Sequence, residues 1–195
     1  MALIYIGLKD YNLTYIVSFF VLGIASIAAA IKYTLGKTPY GYTGLGDLFV
    51  FLFFGITGVI GTYFLHTHHF QLILILPATS IGLLSTSVLN MNNMRDIKND
   101  KESNKKTLVV KMGIKKSKIY HTVLIVGAIS SFTTYLLLAE SSYNFFICLI
   151  PLPIFLLNLK TVWSFKDNRE LDPELKKLAL STFLLTILFG ISSIL

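Results

Sequence analysis

Charge is scarce in this chain. Only 14% of its 195 residues are Asp, Glu, Lys or Arg, against about 25% in soluble domains. Acids are the scarcer sign, 10 against 17 bases. That deficit, with 54% hydrophobic residues and a mean hydropathy of +0.69, excludes a soluble globular domain. It implies an all-α, polytopic transmembrane helix bundle. The single cysteine, Cys148, excludes an intramolecular disulfide and, inside an apolar run, reads as packing. The opening "MALIYIGLKDYN" lacks a positive n-region. Its apolar piece, residues 2–8, is too short for a signal-peptide core or a span and reads as the tail of a helix. No internal repeat, low-complexity tract or soluble linker divides residues 1–195, so one transmembrane domain is expected.

Six apolar runs approach the length of a span: 13–31, 48–65, 71–91, 119–139, 144–159 and 178–195. Pro151 and Pro153 fall inside the fifth and are expected to kink it. Two connections, "HTHHF" and "AESSY", contain no Lys or Arg, whereas Arg95 to Lys118 hold nine of the 17 bases. The bias alternates as six spans require. The positive-inside rule then places the polar loops in the cytoplasm, beneath the cell membrane. In "LDPELKK", Asp172 suits an N-cap, Pro173 the first helical position and Glu174 the first turn.

Two polar constellations interrupt the apolar runs. The first is "NMNNMRDIKNDKESNKKTLVVKMG", residues 90–113. Asp96 and Asp100 have the spacing of one helical face. Their repulsion at an effective dielectric near 20 costs about 3 kcal/mol, which a divalent cation removes. Mg²⁺ takes oxygen ligands and is commonly completed by substrate phosphates. Asn92 lies one turn back on the same face. Asn90, Asn92 and Asn93 are costly at a membrane boundary unless partnered, and Arg95, Lys105 and Lys106 suit phosphate oxygens. The plain alternative is a solvated helix end whose lysines neutralise the acids. The second constellation is "YTLGKTPYGYTGLGD", residues 33–47. Tyr33 and Lys37 stand four apart, followed by Tyr40, Tyr42 and Asp47; the lysine suits a phosphate and the tyrosine faces a developing cation. An interfacial aromatic belt with a basic anchor is the alternative. His66, His68 and His69 in the "HTHH" tract form a weaker metal candidate.

"NNMRDIKNDKESNKKTLVVKMG" resembles the second aspartate-rich motif of the UbiA superfamily of intramembrane prenyltransferases. "YTLGKTPYGYTGLGDLFVFLFFG" and "GTYFLHT" resemble its branch that prenylates 1,4-dihydroxy-2-naphthoate in menaquinone synthesis. The resemblance runs through nearly the whole chain. It implies a nine-helix bundle around a central cavity, of which the six spans and the N-terminal stub would be the later part. It implies Mg²⁺ ligation by Asp96 and Asp100, with Asn92 beside metal or diphosphate. Lys37 would contact phosphate and Tyr33 would lie near the reacting carbon. Arg95 and Lys105 would support substrate anions, and Tyr40, Tyr42, Asp47 and Asn93 would complete substrate binding. Asn104 stands where many relatives have glycine, a mild departure because Asn tolerates the left-handed conformation. The family's first motif, of N-D-x-x-D type, has no counterpart. Before Asp96 the only acids are Asp10 and Asp47. The expectation is therefore an N-terminally truncated chain, lacking two or three helices and impaired in activity.

The implied reaction transfers a polyprenyl group from polyprenyl diphosphate to 1,4-dihydroxy-2-naphthoate. Membrane lipids are the expected surroundings, and no nucleic-acid partner is expected. The alternatives are another acceptor within the superfamily or a non-catalytic membrane remnant.

Overall fold

The computed structural model describes residues 5, 6, 8, 9, 12–36, 39–139, 143–192 and 194. The N-terminal stub and Lys37 fall largely or wholly outside them. All regular structure among the described residues is helical: α1 (Leu13–Thr34), α2 (Gly46–Thr67), α3 (Ile75–Arg95), α4 (Ile97–Glu102), α5 (Leu108–Leu138), α6 (Leu152–Ser164) and α7 (Leu171–Ser192). Short 3₁₀ turns link them. Six helical segments are long and apolar enough to cross a membrane, and the chain is a multi-pass membrane protein. Backbone hydrogen bonding inside each helix is what lipid, lacking water, demands.

Three boundaries differ from the sequence expectation. The fourth span starts at Leu108, about three lysine-bearing turns earlier than hydropathy suggests, because charged residues end a hydropathy window without ending a helix. Thr107 caps it, accepting from the Val110 N–H at 3.3 Å, and Gly113, at φ +76°, interrupts it. The prolines do not kink the fifth span. A 3₁₀ stretch, Tyr143–Leu149, precedes them, Pro151 caps α6 and Pro153 occupies its first turn, where a missing N–H costs nothing. Asp172 is not the N-cap of α7. That helix is entered through a capping box in which Asp167 accepts from Arg169 N–H at 3.1 Å and Glu170 accepts from Asp167 N–H at 2.9 Å. Glu174 does lie in the first turn.

α3 is the hub, packed against α2, α5 and α7. It reaches α2 through small residues. A Cβ at Gly55 would stand 2.6 Å from the Ala78 carbonyl oxygen and from Gly82 Cα, and one at Gly82 would stand 2.7 Å from the Phe51 ring. Lipid supplies no hydrophobic drive between helices, so close backbone approach provides the dispersion contact instead. α2 is π-helical over Phe51–Gly61, and the wider turns carry the Phe51 and Gly55 contacts. On its other side α3 joins a core of Leu84, Met91, Met94, Ile125, Phe155 and Leu178. Cys148 is buried in that core beside Ser192 Oγ at 3.4 Å, as its apolar setting suggested. α1 buries nothing along its apolar window and presents Val17, Val21, Ile24 and Ile31 outward. It touches α2 through Tyr15 and Phe19 against Phe64.

Candidate active site

The two constellations, far apart in sequence, meet at one end of the bundle. After α1 the chain turns through a 3₁₀ element, Tyr40–Tyr42, into α2. The turn closes tightly on Tyr33: a Cβ at Gly41 would lie 2.7 Å from the Tyr33 carbonyl oxygen, and one at Gly46 would lie 3.4 Å from its ring. Gly44 takes a positive φ of +83°. The lysine-rich segment after α4 then straps this loop. Lys106 N–H donates to the Tyr42 carbonyl at 2.9 Å, and the Lys111 ammonium donates to the Thr43 carbonyl. The Lys105 ammonium lies 5.9 Å from the centre of the Tyr42 ring. Asn104 bends the chain into the strap at φ +55°, the left-handed conformation anticipated for it.

Beneath the strap sits a polar cluster. Lys105 pairs with Asp100 at 3.2 Å, and Tyr33 has Lys105, Asp47, Asp100 and Tyr42 as its electrostatic neighbours. Asp47 is buried at the start of α2, with Tyr120 as a neighbour of its carboxyl group and Thr86 Oγ1 3.4 Å from its main-chain oxygen. Three buried acceptors in this region have no protein donor: Asp47 Oδ2, Asn93 Oδ1 and Asp100 Oδ2. Beside the cluster, Tyr40 stacks on Phe49 at 4.1 Å and meets Tyr33 edge-on at 5.5 Å. These rings help line an open, largely apolar pocket of about 570 Å³ with Ala30, Phe53 and Thr57. Burial raises the Tyr40 hydroxyl pKa, with Tyr33 adding to it.

Asp96 and Asp100 lie one helical turn apart, and each carboxylate has a basic partner of its own. Helical hydrogen bonds run through the junction, Asp96 N–H to Asn92 O at 3.0 Å and Asp100 N–H to Asp96 O at 2.9 Å. The carboxylates have separate partners. Asp96 is gripped by Arg95, Nε to Oδ1 at 2.8 Å and Nη2 to Oδ2 at 2.7 Å. Arg95 also donates to Asn92 Oδ1 at 2.8 Å and to Asp172 Oδ1 at 3.2 Å. Its guanidinium thus joins α3 to α7, and its hydrogen bonds hold the Asp96 carboxyl below the usual carboxylate range. Asp172, read from sequence as a cap, lies instead within the first turn of α7 and pairs with Arg95. No local pattern could have paired it with Arg95.

Among the described residues, no group of three or more His, Cys, Asp or Glu side chains is gathered for a metal ion, the "HTHH" tract included. His68 instead closes α2 in a left-handed conformation, its N–H donating to Phe64 O at 2.8 Å. The donor chemistry at the polar cluster nevertheless suits a hard divalent cation. Asp47, Asn93 and Asp100 each offer a buried, unpartnered oxygen, and oxygen is the ligand such ions take. Sequence reasoning also missed Tyr120 and the buried polar side chains His121 and Asn158. Their signal was present, since an isolated polar residue inside an apolar span requires a partner.

The UbiA prenyltransferase family profile matches residues 2–191. The chain is 39% identical over 186 residues to a 1,4-dihydroxy-2-naphthoate octaprenyltransferase of Haemophilus influenzae, covering 95% of this chain and 60% of that protein. It is 38% identical over 184 residues to the Escherichia coli protein of the same name, covering 94% and 60%. A Mycobacterium tuberculosis protein, again of that name, is 34% identical over 160 residues, covering 82% and 54%. The chain thus spans about 60% of the length of the first two relatives. No solved structure matches it. With the profile extending over nearly every residue and relatives this similar, the chain belongs to the UbiA prenyltransferase family.

Proposed function

We propose that this chain carries the machinery for polyprenyl transfer from polyprenyl diphosphate to 1,4-dihydroxy-2-naphthoate, the demethylmenaquinone-forming step of menaquinone synthesis. The observation that carries this reading is the strap that pins the Lys105–Lys106 segment onto the Tyr40–Tyr42 turn, above an aromatic pocket. It sets a charged cradle and an apolar slot side by side, as an allylic diphosphate requires. The names of the relatives point to the same donor class and acceptor.

In this reading Lys105 and Lys37 hold the diphosphate, and Asp100 orients Lys105. Asp96 and Asp100, with the unpartnered Asn93 and Asp47 oxygens nearby, hold a divalent cation, which we take to be Mg²⁺. When bound, that ion neutralises the leaving diphosphate. The allylic C–O bond breaks with its electron pair departing on diphosphate. The faces of Tyr33 and Tyr40 stabilise positive charge on the allylic carbon. Phe49 and Phe53 keep water from it. The electron-rich naphthoate ring forms the new C–C bond at the carbon bearing the carboxylate. Loss of that group as CO₂ leaves the reduced form of demethylmenaquinone. The lysine bias of the loops supports a cytoplasmic orientation for this end, in a chain we take to reside in the plasma membrane.

Membranes containing the chain, given radiolabelled polyprenyl diphosphate and 1,4-dihydroxy-2-naphthoate, test this directly. Prenylated naphthoquinol that appears with Mg²⁺ and disappears with chelator supports it. Preferential labelling of 4-hydroxybenzoate would move the chain to another acceptor. Absence of Mg²⁺-dependent diphosphate binding would leave only a non-catalytic membrane protein.

A further inference from the structure

A chain of buried polar groups crosses four helices away from the polar cluster. His121, on α5, is fully buried. Its Nδ1 lies 3.4 Å from Asn90 Nδ2 on α3, and its Nε2 lies 3.0 Å from Asn158 Oδ1 on α6. Asn158, also fully buried, donates from Nδ2 to the main-chain oxygen and to Oε2 of Glu174 on α7, each at 3.4 Å. Glu174 Oε1 accepts from Lys177 at 2.7 Å.

The direction of every bond follows from one end. A carboxylate beside lysine only accepts, so Asn158 turns its amide N–H groups towards Glu174 and its oxygen towards His121. That oxygen needs a donor, which assigns the neutral His121 tautomer with hydrogen on Nε2. Nδ1 is then an acceptor and takes an Asn90 amide hydrogen. The same Asn90 nitrogen donates to the Ser117 carbonyl at 3.2 Å. A flipped Asn90 would set two oxygens against each other.

Buried polar groups of this kind cost stability compared with well-packed apolar ones, and what they supply is a directional register. We propose that His121 is a positioning residue: with Asn158 and Glu174 it sets the rotation of the α3 end that carries Asn92, Asn93, Arg95 and Asp96. Asn90 is one turn before Asn93. Releasing it frees α3 to turn and moves the Asn93 and Asp96 oxygens relative to Asp47 and Asp100. The inference rests on reading that end as the diphosphate site.

The test has two arms, on His121→Leu and His121→Gln; the Gln amide N–H replaces the donor at Nε2. The first arm measures the distance between spin labels at Lys98→Cys and Lys176→Cys in a Cys148→Ser background, and needs no activity. The second measures Mg²⁺-dependent binding of a non-hydrolysable prenyl thiodiphosphate. Leu is expected to shift or broaden the distance and weaken binding about tenfold, with Gln restoring most of both. Unchanged distances in the Leu variant overturn the proposal. So does an equal loss of melting temperature in both variants with no rescue by Gln, the signature of mere packing. If the unaltered chain binds no thiodiphosphate, the functional reading fails and the distance arm alone decides the positioning role.

Discussion

The main-chain N–H of Lys106 donates to the main-chain carbonyl of Tyr42 across 2.9 Å. This bond joins the loop after α1 to the loop after α4, and Lys105 and Lys111 reach the same turn on either side. Because it uses backbone atoms, most side-chain substitutions at Lys106 leave it standing. Proline, which lacks the donor, removes it. Lys106→Pro should cost about 1 kcal/mol locally, read as roughly fivefold faster tryptic cleavage within residues 98–111, whereas Lys106→Gln should not accelerate cleavage at the remaining lysines.

Lys105 and Asp100 form a largely buried pair, with side chains 19% and 8% exposed. Removing the lysine alone strands a carboxylate that already has one unpartnered oxygen. Lys105→Met should lower stability by about 2–3 kcal/mol in detergent unfolding. Lys105→Met with Asp100→Asn should recover most of that loss, because the charge and its counter-charge leave together. Equal destabilisation by the single and double variants would show that the pair is not coupled.

Arg95 makes a paired bond to Asp96 and further bonds to Asn92 and Asp172. A lysine ammonium cannot reproduce that fork. Arg95→Lys should weaken Mg²⁺-dependent thiodiphosphate binding about tenfold while retaining the fold. The Asp96 carboxyl is held below its ordinary range, chiefly by the Arg95 hydrogen bonds. The stabilisation is therefore fully present above the unfolded-state value near pH 4 and is lost as pH falls through the lower folded value. The distance between labels at Lys98→Cys and Lys176→Cys, on α4 and α7, should stay constant from pH 7 to 5 and change only in stronger acid.

The α2–α3 contact sets up a graded pair of substitutions. At Gly55 an added Cβ meets backbone, the Ala78 oxygen and Gly82 Cα at 2.6 Å, which cannot yield without moving a helix. At Gly82 the nearest atom, at 2.7 Å, belongs to the Phe51 ring, which can turn. Both alanine variants should destabilise, by about 1–3 kcal/mol, with Gly55→Ala the worse. Thermal unfolding in detergent ranks them; the reverse order would place the tight contact elsewhere.

The helices were legible because lipid leaves a chain few options. Long apolar runs must form helices, so the spans could be read from hydropathy alone. Their ends were not. α5 begins in lysine-bearing sequence, and α7 begins at a capping box upstream of the acid expected to cap it. A hydropathy window measures transfer into lipid, whereas a helix end depends on local hydrogen bonds.

The candidate site divides in the same way. The sequence by itself determined which side chains stand at the charged end of the bundle: Tyr33, Tyr42, Asp47, Asn93, Asp96, Asp100 and Lys105. The tertiary structure decided their partners. Arg95 binds Asp96 and Asp172, Lys105 turns to Asp100, and Asn90, His121, Asn158 and Glu174 link four helices. Periodicity along one helix places a residue on a face, but it carries no information about which distant helix supplies the opposing charge or hydrogen bond. That choice is made when buried polar groups must find partners or remain unsatisfied.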